Sequence, residues 1–142
     1  MGSDLYKTGL NQAKTTVTAA FGSNHILTHR NYLHNAVTDG MPSGGAWYES
    51  TVELMTEENV YGTKQWSSSC RGEASGIDLY EVDKSQYPGF AVAPSLQTVT
   101  NQWYWLRDVS DASNLALADS AGGSGRITAS ATEGVRPAVC IY

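Results

Sequence analysis

From Tyr6 to Phe21 the apolar residues Leu10, Ala13, Val17, Ala20 and Phe21 recur at intervals of three and four, the period of one helix face. Gly22 follows as a natural C-terminal stop. His25-Ile26-Leu27 is a short apolar run of strand type. Thr28 then stands where it would cap a second helix, His29 to Val37, with Tyr32, Leu33, Ala36 and Val37 as its stripe. Thr38 to Gly45 is a turn-rich connection. The stretch STVELMTEENVYG, residues 50–62, admits one continuous helix or a strand running into a helical turn. Val52 and Leu54 alternate, and Thr56-Glu57-Glu58-Asn59 has the form of a cap with acids in the first turn, where the helix dipole favours them. The strand-then-turn reading is preferred, with Thr56 as cap and Gly62 as stop.

Between Thr63 and Asn101 the periodicity is weak, and only Tyr80-Glu81-Val82 and Phe90-Ala91-Val92 read as short strands. Irregular stretches of this length in a small domain tend to carry binding work, with plain surface loop as the default. The last forty residues read as an antiparallel meander. Trp103 to Val109 suits a pleated, half-buried surface. Leu115 and Leu117 alternate with Ala116 and Ala118; Ser120 to Gly125 makes a loose turn; Arg126 to Ala129 returns. In Val135 to Tyr142 the residues Val135, Pro137, Val139 and Ile141 share one face. Pro137 lacks a ladder donor and belongs at a strand start or an edge.

Composition narrows the class. A chain of 142 residues suits one domain with a real core, and 14 glycines favour turns and loops over a helical bundle. Four Trp and eight Tyr against two Phe indicate rings that half-bury while keeping a polar tip wet. The net charge of −5 is spread without a basic cluster, which makes nucleic acid a poor partner. No apolar run approaches bilayer-spanning length, so membrane insertion is not expected. Residues 1–14 lack the apolar stretch of a secretory signal, and Met1-Gly2-Ser3 reads as an added leader.

The candidate chemistry is thin. Cys70 and Cys140 form no zinc-like spacing with histidine, and they read best as two separate, mostly buried thiols. His25, His29 and His34 fall within ten residues, but His29 and His34 would not share a helix face, so a metal clamp is not expected. Asp108, Asp111, Asn114 and Asp119 form an acidic string whose spacing fits no calcium loop, and solvated carboxylates explain it better. Arg71-Gly72-Glu73 carries the wrong acid for an integrin-binding tripeptide, and Gly122-Gly123-Ser124-Gly125 lacks the Lys of a phosphate loop. Arg107 and Arg136 stand inside apolar, strand-like runs and need outward exposure or a carboxylate partner, for which Glu57, Glu58 and Asp108 are candidates. Their role reads as structural. No cofactor and no metal is expected.

The C-terminal residues resemble a known group. Trp105-Leu106-Arg107, a strand ending near Ala118-Asp119, a glycine turn, and Gly134-Val135-Arg136-Pro137-Ala138 are similar to the closing strands of C-type-lectin-like domains of the bacterial and phage kind. That group includes formylglycine-generating-enzyme-like domains and the target proteins of diversity-generating retroelements. Val52 to Glu58 followed by Val60-Tyr61-Gly62 is similar to the strand and turn before their long loop. The wider order HILTHRNYL, WYES, VELM, DKSQYPGFAV, WYWLRDV, GVRPAV resembles modules in structural proteins of gut tailed phages, over nearly the whole chain.

The resemblance implies a single α+β domain over 1–142, with a C-type lectin-like fold: a twisted antiparallel sheet, two helices and long loops. It implies a non-enzymatic binding, display or decoration module of the virion, associated with the capsid. Partners would be a protein or glycan on the host surface, or neighbouring capsid subunits, and an oligomer is compatible. Carried onto matching positions, the display surface comprises Ser110, Asp111, Ser113, Asn114, Ser120, Ser124, Arg126, Thr128, Ser130 and Thr132. Trp105, Arg107, Arg136 and Pro137 would anchor the scaffold. A merely solvated hairpin fits the 110–132 tract equally well. Trp47, Tyr48, Trp66 and Tyr87 are further candidate contacts, with core packing as the alternative. The carboxylate and Asn-Pro motifs by which animal lectins hold calcium and sugar are absent, and no formylglycine-generating cysteine pair is recognisable in Cys70 and Cys140. The alternatives are a bacterial cell-surface adhesin domain, which would place the chain outside the cell, and a catalytic member of the fold with a reactive cysteine.

Overall fold

The computed structural model describes residues 8–34, 37–38, 41–42, 45–67, 85–99, 101–111 and 113–142. Among them the chain is a mixed α+β domain with three α-helices and antiparallel sheets. Helix α1, Leu10–Phe21, buries Leu10 and Val17 and ends at Gly22, whose φ of 82° is reached without penalty by glycine. Strands β1, His29–His34, and β4, Gly45–Ser50, pair antiparallel, and between them β2, Val37–Thr38, pairs with β3, Met41–Pro42. The partner pairs His34↔Gly45 and Val37↔Pro42 each step by three residues, so both pairings share one register, as in a single long ribbon.

Strand β5, Glu53–Leu54, leads into helix α2, Glu57–Tyr61. Thr56 caps that helix: its hydroxyl accepts from Asn59 N at 3.0 Å, and Asn59 Oδ1 accepts from Thr56 N at 2.9 Å. Gly62 closes it in the left-handed region at φ 77°. Helix α3 is Pro88–Val92, followed by a 3₁₀ turn at Pro94–Gln97. The central sheet is β6, Tyr104–Val109, then β7, Asn114–Ala118, then β8, Ser124–Thr128, in that spatial order. The short strand β9, Pro137–Ala138, pairs with β5.

Strands β6 and β7 of this sheet are covered on both faces, which explains their near-continuous burial. On one face Trp105 and Leu117 pack with Leu10 and Val17 of α1, Ile26, Val52 and Leu54. On the other, Tyr104, Leu106, Ala116 and Ala118 pack with Met55, Val60 and Phe90. Successive strand residues therefore serve two different cores. The β6 edge away from β7 is also satisfied, since Arg107 N donates to Met55 O at 2.8 Å and Trp105 N to Gly134 O at 3.0 Å. Gly134 is required there because a Cβ would lie 2.9 Å from Trp103 O and 2.6 Å from Gln102 Nε2.

Several sequence expectations need correction. The predicted second helix, His29 to Val37, is strand at its described residues: His29–His34 pairs with β4 and Val37 belongs to β2, and this ladder overrides the local helical spacing. The domain thus has three helices among the described residues, not two, and none is the predicted second one. Phe90 to Val92 is helical, not strand, because Pro88 presets the first turn and Tyr87 O accepts from Phe90 N and Ala91 N. Only Phe90 is buried there, while Val92 is 86% exposed. His25 to Leu27 forms a single bridge, Ile26↔Ile141, rather than a strand.

Val135 to Tyr142 is not a continuous closing strand. It is a strap that changes partner along its length: Gly134 lies on β6, Pro137 and Ala138 pair with Leu54 and Glu53, and Ile141 meets Ile26. Pro137 opens β9, where its missing N–H is tolerated. Cys140 is a free, exposed thiol, against the expectation of burial. Cys70, Arg71-Gly72-Glu73 and the strand expected at Tyr80 to Val82 lie outside the described residues.

Candidate binding surface

Strand β8 turns Ile127 toward the α1-side core, which places Ser124, Arg126 and Thr128 on the opposite face by alternation. Their partners on β7 are Ala118, Ala116 and Asn114. Arg126 lies exposed over that face, its Cζ 5.0 Å from the Trp66 ring and its Nη1 3.3 Å from Asp111 Oδ2. Asp111 is itself held by the turn between β6 and β7. Its Oδ1 accepts from Ser113 N at 2.9 Å, Asn114 N at 3.0 Å and Asn114 Nδ2 at 3.0 Å. These bonds, the Asn114 side chain first and the Ser113 amide next, hold the Asp111 carboxyl below the usual carboxylate range.

One cluster therefore gathers Asp111, Ser113, Asn114, Arg126 and Trp66, continued by Thr128 and Ser130, whose hydroxyls lie 3.1 Å apart. Thr132 is exposed beyond them. Ser120 and Ser124 belong to the other end of β8, around the turn in which Asp119 Oδ1 accepts from Ala121 N and Gly123 N. Tyr61 ties that turn to α2 by donating to Gly123 O at 2.9 Å. Ser110 needs correction as a surface residue. It is only 2% exposed, and its hydroxyl donates to Asn114 O, so it builds the turn and offers nothing outward.

The remaining candidates divide between surface and core. Trp47 is exposed with Arg30 stacked 4.3 Å from its ring centroid, and Trp66 is 40% exposed. Tyr87 packs against the core beside Phe90. Trp103, 42% exposed, is not singled out by pattern, since Trp103 to Val109 reads as one half-buried strand.

The arginines and acids pair differently from the sequence expectation. Arg107 meets Glu53 at 3.3 Å, and Glu53 also lies 3.2 Å from His29 Nε2. Arg136 lies 5.1 Å from the Phe90 ring centroid and 5.3 Å from that of Tyr104. Glu57, with no exposed surface, instead accepts from the backbone N–H groups of Gln65, Trp66 and Ser67 and from the Ser67 hydroxyl at 2.6 Å. Asp108 accepts from Glu57 N at 2.6 Å. These two acids fix the loop that carries Trp66. The acidic string thus splits into three separate jobs at Asp108, Asp111 and Asp119. Among the described residues no three His, Cys, Asp or Glu side chains are grouped to hold a metal ion, and no helix is long and apolar enough to cross a membrane.

No family model, curated protein or solved structure matches this chain.

Proposed function

We propose that this chain is a non-enzymatic binding or decoration module of a tailed-phage particle, C-type-lectin-like in fold, that meets its target through the surface around Asp111 to Thr132. The observation that supports this reading is the division of labour along β6 to β8. Apolar residues fill two cores, while Arg126 and Thr128 stand outward on β8, Ser130 and Thr132 are exposed in the turn that follows it, and the turns flanking β7 are fixed by Asp111 and Asp119. Rigid rings beside adaptable polar groups are the ingredients of antibody-like recognition, and Trp66 against Arg126 supplies that pairing here. The target is a protein or glycan of the host surface, or an adjacent capsid subunit.

Gold-labelled antibody against the chain, applied to purified particles of the phage that encodes it, is expected to decorate the capsid. Unlabelled particles would overturn the virion assignment, and label on bacterial cells instead would favour a cell-surface adhesin. Sequences of sibling phages from one sample should differ mainly within 110–132; uniform scatter would reduce the tract to a solvated hairpin.

A further inference from the structure

Beyond Thr132 a cleft of about 420 Å³ opens between α1 and the strap at 133–137. The helix contributes Gln12, Ala13, Thr16 and Val17, spaced by three and four so that they share one face. The strap contributes Glu133, Val135 and Pro137, alternate residues of an extended segment and hence on one side. Docking of Gly134 onto β6 sets this phase, and it sends Arg136 to the opposite side, over Phe90 and Tyr104. The consequence is electrostatic. Glu133 faces the cleft with its nearest cation in sequence turned away, and among the described residues its carboxylate has no hydrogen bond or ion pair.

The floor is apolar, formed by Ala13, Val17, Val135 and Pro137, and the volume lies within the range of small-ligand pockets. The rim offers acceptors. Glu133 is a carboxylate, the Gln12 side-chain oxygen is unengaged among the described residues, and the Thr16 hydroxyl already donates to Gln12 O at 3.2 Å, leaving its lone pairs for the cleft. An apolar floor beneath three acceptors, one of them charged, complements an alkyl stem ending in a group with three donors and a positive charge. We propose that this cleft binds a small aliphatic ammonium ion, its stem against Val17, Val135 and Pro137 and its head at Glu133. The net charge of −5 favours the same sign of ligand.

The test is an NMR titration of the folded chain with butylammonium, and with butanol as the uncharged counterpart. Saturable shifts are expected at the amides of Ala13, Val17 and Val135, with butylammonium several-fold tighter than butanol. Glu133→Gln should weaken butylammonium roughly fivefold, the size of one partly exposed charge pair, and leave butanol unchanged. Ala13→Leu, which fills the floor, should abolish both. Because the half-buried Glu133 side chain makes no hydrogen bond or ion pair among the described residues, its substitution leaves the fold intact even if the bulkier leucine does not. Absence of saturable shifts with butylammonium, or equal affinity in Glu133→Gln, would overturn the assignment.

Discussion

Glu57 has no exposed surface, yet its carboxylate meets four donors and no arginine. Substituting glutamine turns an amide NH₂ toward groups that are themselves donors, so Glu57→Gln should lose about 2–3 kcal/mol in urea unfolding. A loss under about 0.5 kcal/mol would show that the loop is not held this way. The helix dipole and the cap signal favour an acid at this position, but the roles of Glu57 and Asp108 as receivers of backbone N–H groups are not legible in the sequence: the donors to Glu57 come from residues 65–67, which have no pattern of their own, and the donor to Asp108 is Glu57 N, 51 residues away. Asp111 tests the surface cluster. With its carboxyl depressed in the folded state, the stability it adds is present above the ordinary carboxylate pKa, near 4, and is lost as pH falls through the lower folded value. NMR titration should place Asp111 below the usual range in the native chain and nearer to it in Asn114→Ala. An unchanged value in that variant would remove Asn114 as the principal cause.

At the scale of elements, the strap depends on Gly134. Gly134→Ala must push Cβ against Trp103 O, a backbone atom, and it should destabilise more than Gly62→Ala, where the cost is the left-handed conformation alone, about 1 kcal/mol. Thermal unfolding of the two variants orders them; equal losses would mean that the strap yields easily. Thr56→Ala removes one half of a capping box and should cost about 1 kcal/mol. Elements with local signals were legible. The cap at Thr56, the stop at Gly62, the helix ending at Phe21 and the β6 to β8 meander all follow from side chains near one another in sequence. Elements defined by distant partners were not. His29 to His34 carries a helical spacing yet pairs with residues 45–50, and the closing segment alternates like a strand while three different partners divide it.

For the whole molecule, β6 and β7 are covered on both faces, and the exposed polar tract lies along β8 and the turns beside it. Ring burial adds a dependence at the alkaline end. The Tyr61 phenol is pushed up, first by burial and then by neighbouring Tyr104, Asp119 and Glu57, and Tyr104 is raised as well, again chiefly by burial. A raised folded pKa gives stability that is complete below the unfolded value, about 10, and is lost as pH rises beyond it, so unfolding should become easier above about pH 10, less so in Tyr61→Phe. The proposed function requires the outer tract to be energetically separable from the two cores. The direct measurement is the unfolding free energy of a chain in which Ser113, Thr128, Ser130 and Thr132 are all replaced by other polar residues. A total change within about 1 kcal/mol is expected, as for surface positions, together with altered binding to the target. A loss of several kcal/mol would contradict it, because the tract would then be part of what holds the domain together.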